Sequence, residues 1–317
     1  MRPAKKKTKT HHHKRSKFVW PTINWFFVFS RTTIFLLLCW VIFFLPIKSD
    51  AFLDRVERPI KQLGFEIPVA DFPKVGQEPL PSISAISFLV IDGKSNVVLA
   101  SRNPDERLYP ASLTKLMTAM VALDYYDPQN VFTVKRLVKV EDESDMGLAV
   151  GDKVTVINLI YGLLIPSGND AAYALADNFP GGIENFVFAM NKKAKELSMT
   201  NTHFVNPSGI DDPDHYSDAH DLIMLAVQSM KNDTIRRIVG TSSLVVSDAS
   251  GAKLYRIKNV NKLLDIVKGV EGVKTGYTDL AGQCLITSTT RNGHTIFTIV
   301  LNSKDRFLDS VKLLEWA

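Results

Sequence analysis

Residues 86–91 and 97–100 are rich in apolar and β-branched side chains and flank Asp92-Gly93-Lys94-Ser95-Asn96, a pattern that predicts a β-hairpin near the start of a domain. A second hairpin is predicted near the other end. Residues 283–290 and 294–301 are strand-like and meet through Arg291-Asn292-Gly293, where Asn-Gly is the strongest short hairpin signal. Between the two the period changes, and apolar residues recur at helical spacing over 113–125, 156–165, 171–175, 183–199, 221–230 and 234–239. Strands from both ends of a chain with helices inserted between them predict an α+β domain. In it, distant segments close one antiparallel sheet, flanked by helices and packed against a helical subdomain. No internal repeat is visible.

The first 83 residues follow a different pattern. Residues 1–17 hold eight basic side chains and no acidic one, residues 18–47 are almost wholly apolar or aromatic, and residues 48–83 carry Pro59, Pro68, Pro73, Pro79 and Pro81 with no sustained period. This predicts a basic cytoplasmic tail, a transmembrane signal anchor and a proline-rich stalk, with a catalytic domain over 84–317. A span needs about 20 apolar residues, which the run reaches when Arg31 snorkels. No A-x-A cleavage site follows, which favours a retained anchor. Basic residues stay inside, so everything after Lys48 is expected outside the cytoplasmic membrane. His11 to His13 read as part of the solvated tail. Cys39 lies in the apolar run and Cys284 in a strand, so no disulfide is expected; Leu37-Leu38 also lack the small residues a lipid-attachment site needs.

Composition is that of a globular chain, with 45% hydrophobic and 22% charged residues. The formal net charge of +5 would suggest a nucleic-acid partner. The eight basic residues of the tail more than account for it, however. A mildly acidic body has no footprint for a phosphate backbone, so nucleic acid is excluded as its partner. Glu141-Asp142-Glu143-Ser144-Asp145 reads as a solvated acidic loop.

Three short stretches carry chemistry. Ser112-Leu113-Thr114-Lys115 sits at a predicted helix start, where residues three apart share a face and bring an amine to a hydroxyl. The positive end of the first turn also favours negative charge on a substrate oxygen. A lysine acts as base only when neutral, which burial and a second cation promote. Spacing alone is weak evidence, since Ser250-Gly251-Ala252-Lys253 matches too, in what reads as a solvated loop. Ser167-Gly168-Asn169 lies between two helical patterns; its hydroxyl and amide could relay a proton and orient a peptide, or it could simply cap a helix. Ser101-Arg102-Asn103 is a chance match to the same pattern. Lys274-Thr275-Gly276 precedes the last strand pair, where lysine and hydroxyl would line a sheet edge and glycine would admit a ligand, or it is an ordinary turn.

Only one ordered set exists: Ser112/Lys115, Ser167/Asn169, Lys274. From residue 86 onward the chain resembles the low-molecular-mass D-alanyl-D-alanine carboxypeptidases, serine-type penicillin-binding proteins. The resemblance rests on Tyr109-Pro110-Ala111-Ser112-Leu113-Thr114-Lys115, Pro166-Ser167-Gly168-Asn169-Asp170 and Val273-Lys274-Thr275-Gly276-Tyr277-Thr278, with support from Thr202 to Gly209 and His215-Tyr216-Ser217. It implies a β-lactamase/DD-peptidase-like fold and Ser112 as nucleophile toward the bond between terminal D-alanines of peptidoglycan stem peptides. Lys115 would be its base, and the backbone N–H groups of Ser112 and Tyr277 the oxyanion hole. Ser167 would relay a proton to the leaving D-alanine, Asn169 would hold the substrate amide, and Lys274, Thr275 and Gly276 would line the carboxylate end. β-Lactam antibiotics would be covalent inhibitors, and no metal or other cofactor is implied. Many members continue into a second β-rich domain and a C-terminal amphipathic helix, so here anchoring is expected from the N-terminus. Either Lys304 or Arg306 would assist carboxylate binding.

Three alternatives compete. A class A-like β-lactamase would need a Glu with Asn four residues later, which this chain lacks. A noncatalytic membrane protein that binds penicillin or cell-wall peptides predicts erosion of the three motifs, which are intact. A zinc peptidase using His203, His215 and His220 lacks an HExxH motif.

Overall fold

The computed structural model describes residues 79–138 and 144–317. The predicted tail, apolar span, most of the stalk and most of the acidic run lie outside the described residues. Among the described residues no helix is long and apolar enough to cross a membrane.

The chain ends build one sheet. Strands β1 (Ser87–Asp92), β2 (Val98–Arg102), β7 (Val270–Thr278), β8 (Gly282–Arg291) and β9 (His294–Ser303) form an antiparallel sheet in the order β2-β1-β9-β8-β7. Asn292 (φ 51°) and Gly293 (φ 82°) make the two-residue turn between β8 and β9, both in the left-handed region that such a turn requires. Two small antiparallel pairs, β3 (Val131–Thr133) with β4 (Lys153–Thr155) and β5 (Ser243–Ser247) with β6 (Leu254–Lys258), form separate two-stranded sheets.

Both faces of the sheet are covered, which is why its central strands read as continuous apolar runs. Successive side chains alternate between two cores. Leu89, Ile91, Ile286, Ile299 and Leu301 join the larger core with the helical region, whereas Phe88, Val90, Leu285 and Val300 join a smaller one with Leu313 of the last helix. Each fully buried side chain of this size contributes roughly 1.5–3 kcal/mol.

The helices are α1 (Lys115–Tyr125), α2 (Val156–Leu164), α3 (Asn169–Asp177), α4 (Gly182–Glu196), α5 (Ala219–Met230), α6 (Asp233–Val239), the short α7 (Leu263–Ile266) and α8 (Arg306–Trp316). Helix α1 packs against α2, α4 and α5, and α5 packs on β1 and β9. Polar caps fix several starts: Asp218 accepts from Asp221 N for α5, and Asp305 accepts from Phe307 N for α8. The helical pattern expected to begin at Leu113 begins two residues later, because Ala111–Thr114 forms a 3₁₀ turn. Lys274-Thr275-Gly276 lies within β7, an edge strand, and does not form a turn ahead of the strand pair.

Helix α8 latches the domain's beginning to its end. The Asp309 carboxylate accepts from Ser84 Oγ (2.6 Å), Ala85 N (3.0 Å) and Ser303 Oγ (2.7 Å). Ile83 is already buried in the smaller core. Burial alone would raise the Asp309 pKa, but hydrogen bonds from Ser303, Ser84 and Ala85 outweigh it and hold the carboxyl below its usual 3.8. A depressed folded-state pKa contributes stability that is complete above 3.8 and is lost as pH falls through the folded value. Asp309→Asn is therefore expected to lower the melting temperature at pH 7 by several degrees, at about 2–4 °C per kcal/mol, and to flatten the acid limb below pH 4. An unchanged melt at pH 7 would contradict the latch.

Candidate active site

The predicted serine and lysine meet because the chain changes pitch between them. Ala111 takes a left-handed φ of 47°, the 3₁₀ turn carries Ser112, and Lys115 opens α1. Lys115 is wholly buried, and its Nζ lies 2.6 Å from Ser112 Oγ, 2.6 Å from Asn169 Oδ1 and 2.9 Å from the Ser208 carbonyl oxygen. A neutral amine has two N–H bonds and one lone pair. With Asn169 and Ser208 taking the hydrogens, the third direction points to Ser112, where the lone pair could receive the hydroxyl proton. Once protonated, the ammonium has three acceptors in place.

Ser167-Gly168-Asn169 is held as tightly. Ser167 is left-handed (φ 67°), a conformation costly for a non-glycine residue and typical of sites that pre-set a side chain. A Cβ on Gly168 would sit 2.8 Å from the Gly162 carbonyl oxygen, so no side chain fits there. The N-cap of α3 is Gly168, not Ser167, and the Ser167 hydroxyl accepts from Lys274 Nζ at 2.8 Å. The neighbouring Asp170 carboxylate gathers the amides of Met146, Gly147 and Leu148 (3.0, 3.0 and 2.9 Å), which sets Ser144 at the cleft.

Strand β7 brings the third stretch against the serine turn. A Cβ on Gly276 would lie 3.1 Å from Ala111 Cβ and 3.2 Å from Ser112 N, so glycine allows the edge strand to approach the turn. Lys274 is buried, and desolvation first, then the nearby Lys115 and Arg306 cations, lower its pKa well below the usual lysine value. An open cleft of about 540 Å³ lies between the sheet edge and the helical region. Its walls include Ser112, Ser167, Asn169, Thr275, Gly276, Tyr277 and Arg306. The Lys115 and Lys274 side chains are not on that wall; each amine sits behind a cleft-lining serine, Ser112 and Ser167 respectively.

Of the two basic residues left open by the sequence, Arg306 lines the cleft and donates through Nη1 to the Gly276 carbonyl oxygen (2.7 Å), while Lys304 does not line it. The second SxxK copy is remote: Ser250 is exposed in the turn between β5 and β6, bonded to Asp248. Among the described residues, no group of three or more His, Cys, Asp or Glu is arranged to hold a metal ion. His203 Nδ1 instead meets the Asp214 carbonyl oxygen (2.7 Å).

Sequence reasoning gave no role to Ser208 and weighed His215 only as a zinc ligand in a rejected alternative, although both stand in stretches that carried the resemblance. The available signal was Asn206-Pro207-Ser208-Gly209: Asn206 Oδ1 accepts from Gly209 N (2.7 Å), a side-chain-closed turn that aims the Ser208 carbonyl at Lys115. His215 is buried, and desolvation, only partly offset by Asp212, lowers its pKa from 6.5 to about 4. The unfolded chain therefore binds a proton between pH 6.5 and 4 that the folded chain refuses, and stability falls as pH falls through that window. The loss expected is on the order of 3 kcal/mol. Urea unfolding at pH 7 and at pH 4.5 should show a smaller difference for His215→Gln than for the wild type; equal differences would contradict a buried neutral imidazole.

A serine backed by a buried lysine at a helix start, with a second serine–lysine pair across the cleft, is a constellation built for acyl transfer. The chain belongs to the D-alanyl-D-alanine carboxypeptidase family, whose profile matches residues 74–305. It is 35% identical over 241 residues to a D-alanyl-D-alanine carboxypeptidase of Bacillus subtilis, covering 74% of this chain and 62% of that protein. It is 34% identical over 253 residues to a D-alanyl-D-alanine endopeptidase of Pseudomonas aeruginosa, covering 77% of this chain and 80% of that one. The crystal structure of the Streptomyces K15 DD-transpeptidase superposes with a TM-score of 0.72 at 34% identity, over 75% of this chain and 98% of that one.

Proposed function

We propose that this chain is a serine D-alanyl-D-alanine carboxypeptidase that removes the terminal D-alanine of peptidoglycan stem peptides. The observation that carries the reading is the Lys115 amine 2.6 Å from Ser112 Oγ at the floor of an open cleft. Ser112 Oγ attacks the carbonyl carbon between the two D-alanines as its proton passes to Lys115, and the oxyanion is held by the Ser112 and Tyr277 amides. As the C–N bond breaks, the proton that Lys115 took passes on through Ser167, backed by Lys274, to the leaving nitrogen, which leaves Lys115 neutral again. Asn169 orients the peptide amide, while Thr275, Gly276 and Arg306 grip the terminal carboxylate at the sheet edge; Lys274 contributes positive potential there from behind Ser167. Water then hydrolyses the ester, with Lys115 again as base.

The identities of the family relatives support this choice of bond, and the basic tail and apolar run of residues 1–47 support a single-pass location in the bacterial cytoplasmic membrane with the domain outside. β-Lactams, which present a carbonyl and a carboxylate like the substrate's, are proposed to acylate Ser112 and stay, since the chain lacks the Glu-x-x-x-Asn segment of a β-lactamase. The test is direct. Purified full-length protein incubated with a pentapeptide ending in D-Ala-D-Ala should release free D-alanine and not L-alanine from the L-Ala-L-Ala isomer; no release of D-alanine would contradict the proposal.

A further inference from the structure

A buried imidazole lies against the serine turn on the side away from the cleft. His215 Nδ1 accepts the Val205 N–H at 3.2 Å, which puts its proton on Nε2, and Nε2 lies 2.9 Å from Thr114 Oγ1. Thr114 stands between Ser112 and Lys115 in the chain. Val205 begins the segment whose Pro207 carbonyl accepts from Thr118 Oγ1 (2.6 Å) and whose Ser208 carbonyl holds the Lys115 amine (2.9 Å). The imidazole thus joins the turn that presents the hydroxyl to the segment that aims the amine.

The contact is packed by Phe204 and by the backbone at Gly209. The Phe204 ring meets the imidazole edge-on at 5.6 Å between centroids. Gly209 closes against the same turn: a Cβ there would lie 1.9 Å from the Ala111 carbonyl oxygen and 2.9 Å from Thr114 Oγ1. With that space filled by backbone, the only polar group supplied to the Thr114 hydroxyl from the 203–217 segment is the His215 N–H.

We propose that His215 is a positioning residue for acylation: as a neutral Nε2–H donor to Thr114 it fixes the 3₁₀ turn so that Ser112 Oγ and Lys115 Nζ stay within proton-transfer distance. The inference rests on the reading of Ser112 as nucleophile. It does not place His215 in contact with substrate, and no proton passes through it. An error of about 1 Å in such a pair costs on the order of 100-fold in rate, so a modest loosening of the turn is felt in chemistry before it is felt in binding.

The experiment measures acylation of the full-length protein by a fluorescent penicillin, resolving the noncovalent Kd from the acylation rate constant. His215→Phe keeps the ring and removes the donor; it should lower the rate constant about 10- to 100-fold and leave Kd unchanged. His215→Gln, whose amide N–H can reach the Nε2 position, should restore most of the loss. Thr114→Val leaves the Val205 bond in place and should reproduce the His215→Phe defect, and the double variant should be no slower than either single one. A folded Thr114→Val or His215→Gln protein carries the test if His215→Phe does not fold. A wild-type rate constant in folded Thr114→Val or His215→Phe, a glutamine variant no better than phenylalanine, or additive defects would overturn the inference while leaving the nucleophile intact. A wild-type protein that takes up no label would overturn the parent reading, and this one with it.

Discussion

Replacing Ser112 by alanine is expected to lower D-alanine release at least about 10⁴-fold with little change in melting temperature. The substitution removes one oxygen from a partly exposed position on the cleft wall, so no cavity opens in the core. Lys115 keeps Asn169 and Ser208 as acceptors, and Ser167 keeps Lys274. What disappears is the oxygen proposed to form the ester; Ser167, the other cleft serine with a lysine against it, is proposed to serve the leaving nitrogen instead. Ser250→Ala, at the other SxxK copy, should leave the rate unchanged. Release that survives Ser112→Ala, measured by a coupled D-amino-acid oxidase assay, would show that the geometry of the pair is incidental.

Lys115→Met is expected to be nearly as damaging to chemistry, with a loss of about 10²–10⁴-fold in acylation, and more damaging to the fold. The thioether fills much of the space but cannot accept a proton. It also removes one donor from Asn169 Oδ1 and from the Ser208 carbonyl, and a buried acceptor that loses its donor costs about 1–3 kcal/mol. Lys115→Arg should not rescue activity, because a guanidinium stays protonated and brings a fork of donors where one lone pair is needed. The measurement is the acylation rate constant beside a denaturant melt. A Lys115→Arg protein with wild-type acylation would contradict the assignment of the base.

Much of this arrangement was legible in the sequence where local rules govern. Asn292-Gly293 announced the β8–β9 hairpin because both positions need left-handed backbone, and α2 and α5 announced themselves through apolar spacing at the helical period. The Ser112–Lys115 contact follows from three-residue spacing on a turning chain, which is local geometry. Lys274 and Thr275 were expected at a sheet edge, but strand β7 itself was not delimited, because Gly272 and Gly276 interrupt it and its buried residues include Lys274 and Thr275, polar side chains that a propensity argument places outside. Helix α8 went unread, although Asp305 carries a cap signal. The choice between Lys304 and Arg306 depends on where β9 stops and α8 turns, and the roles of Ser208 and His215 depend on packing between segments about 90 to 100 residues apart. Such long-range packing leaves no periodic trace in the chain.

The central claim is that Ser112, driven by Lys115, forms a covalent bond with an acyl donor. Its most direct measurement is mass spectrometry of the full-length protein after brief exposure to penicillin, with the added mass located by proteolytic mapping. The account predicts one penicilloyl increment, carried by the peptide that contains Ser112 and absent from Lys115→Met over the same interval. An increment on Ser167, Ser144 or Ser250, or none at all, would contradict it.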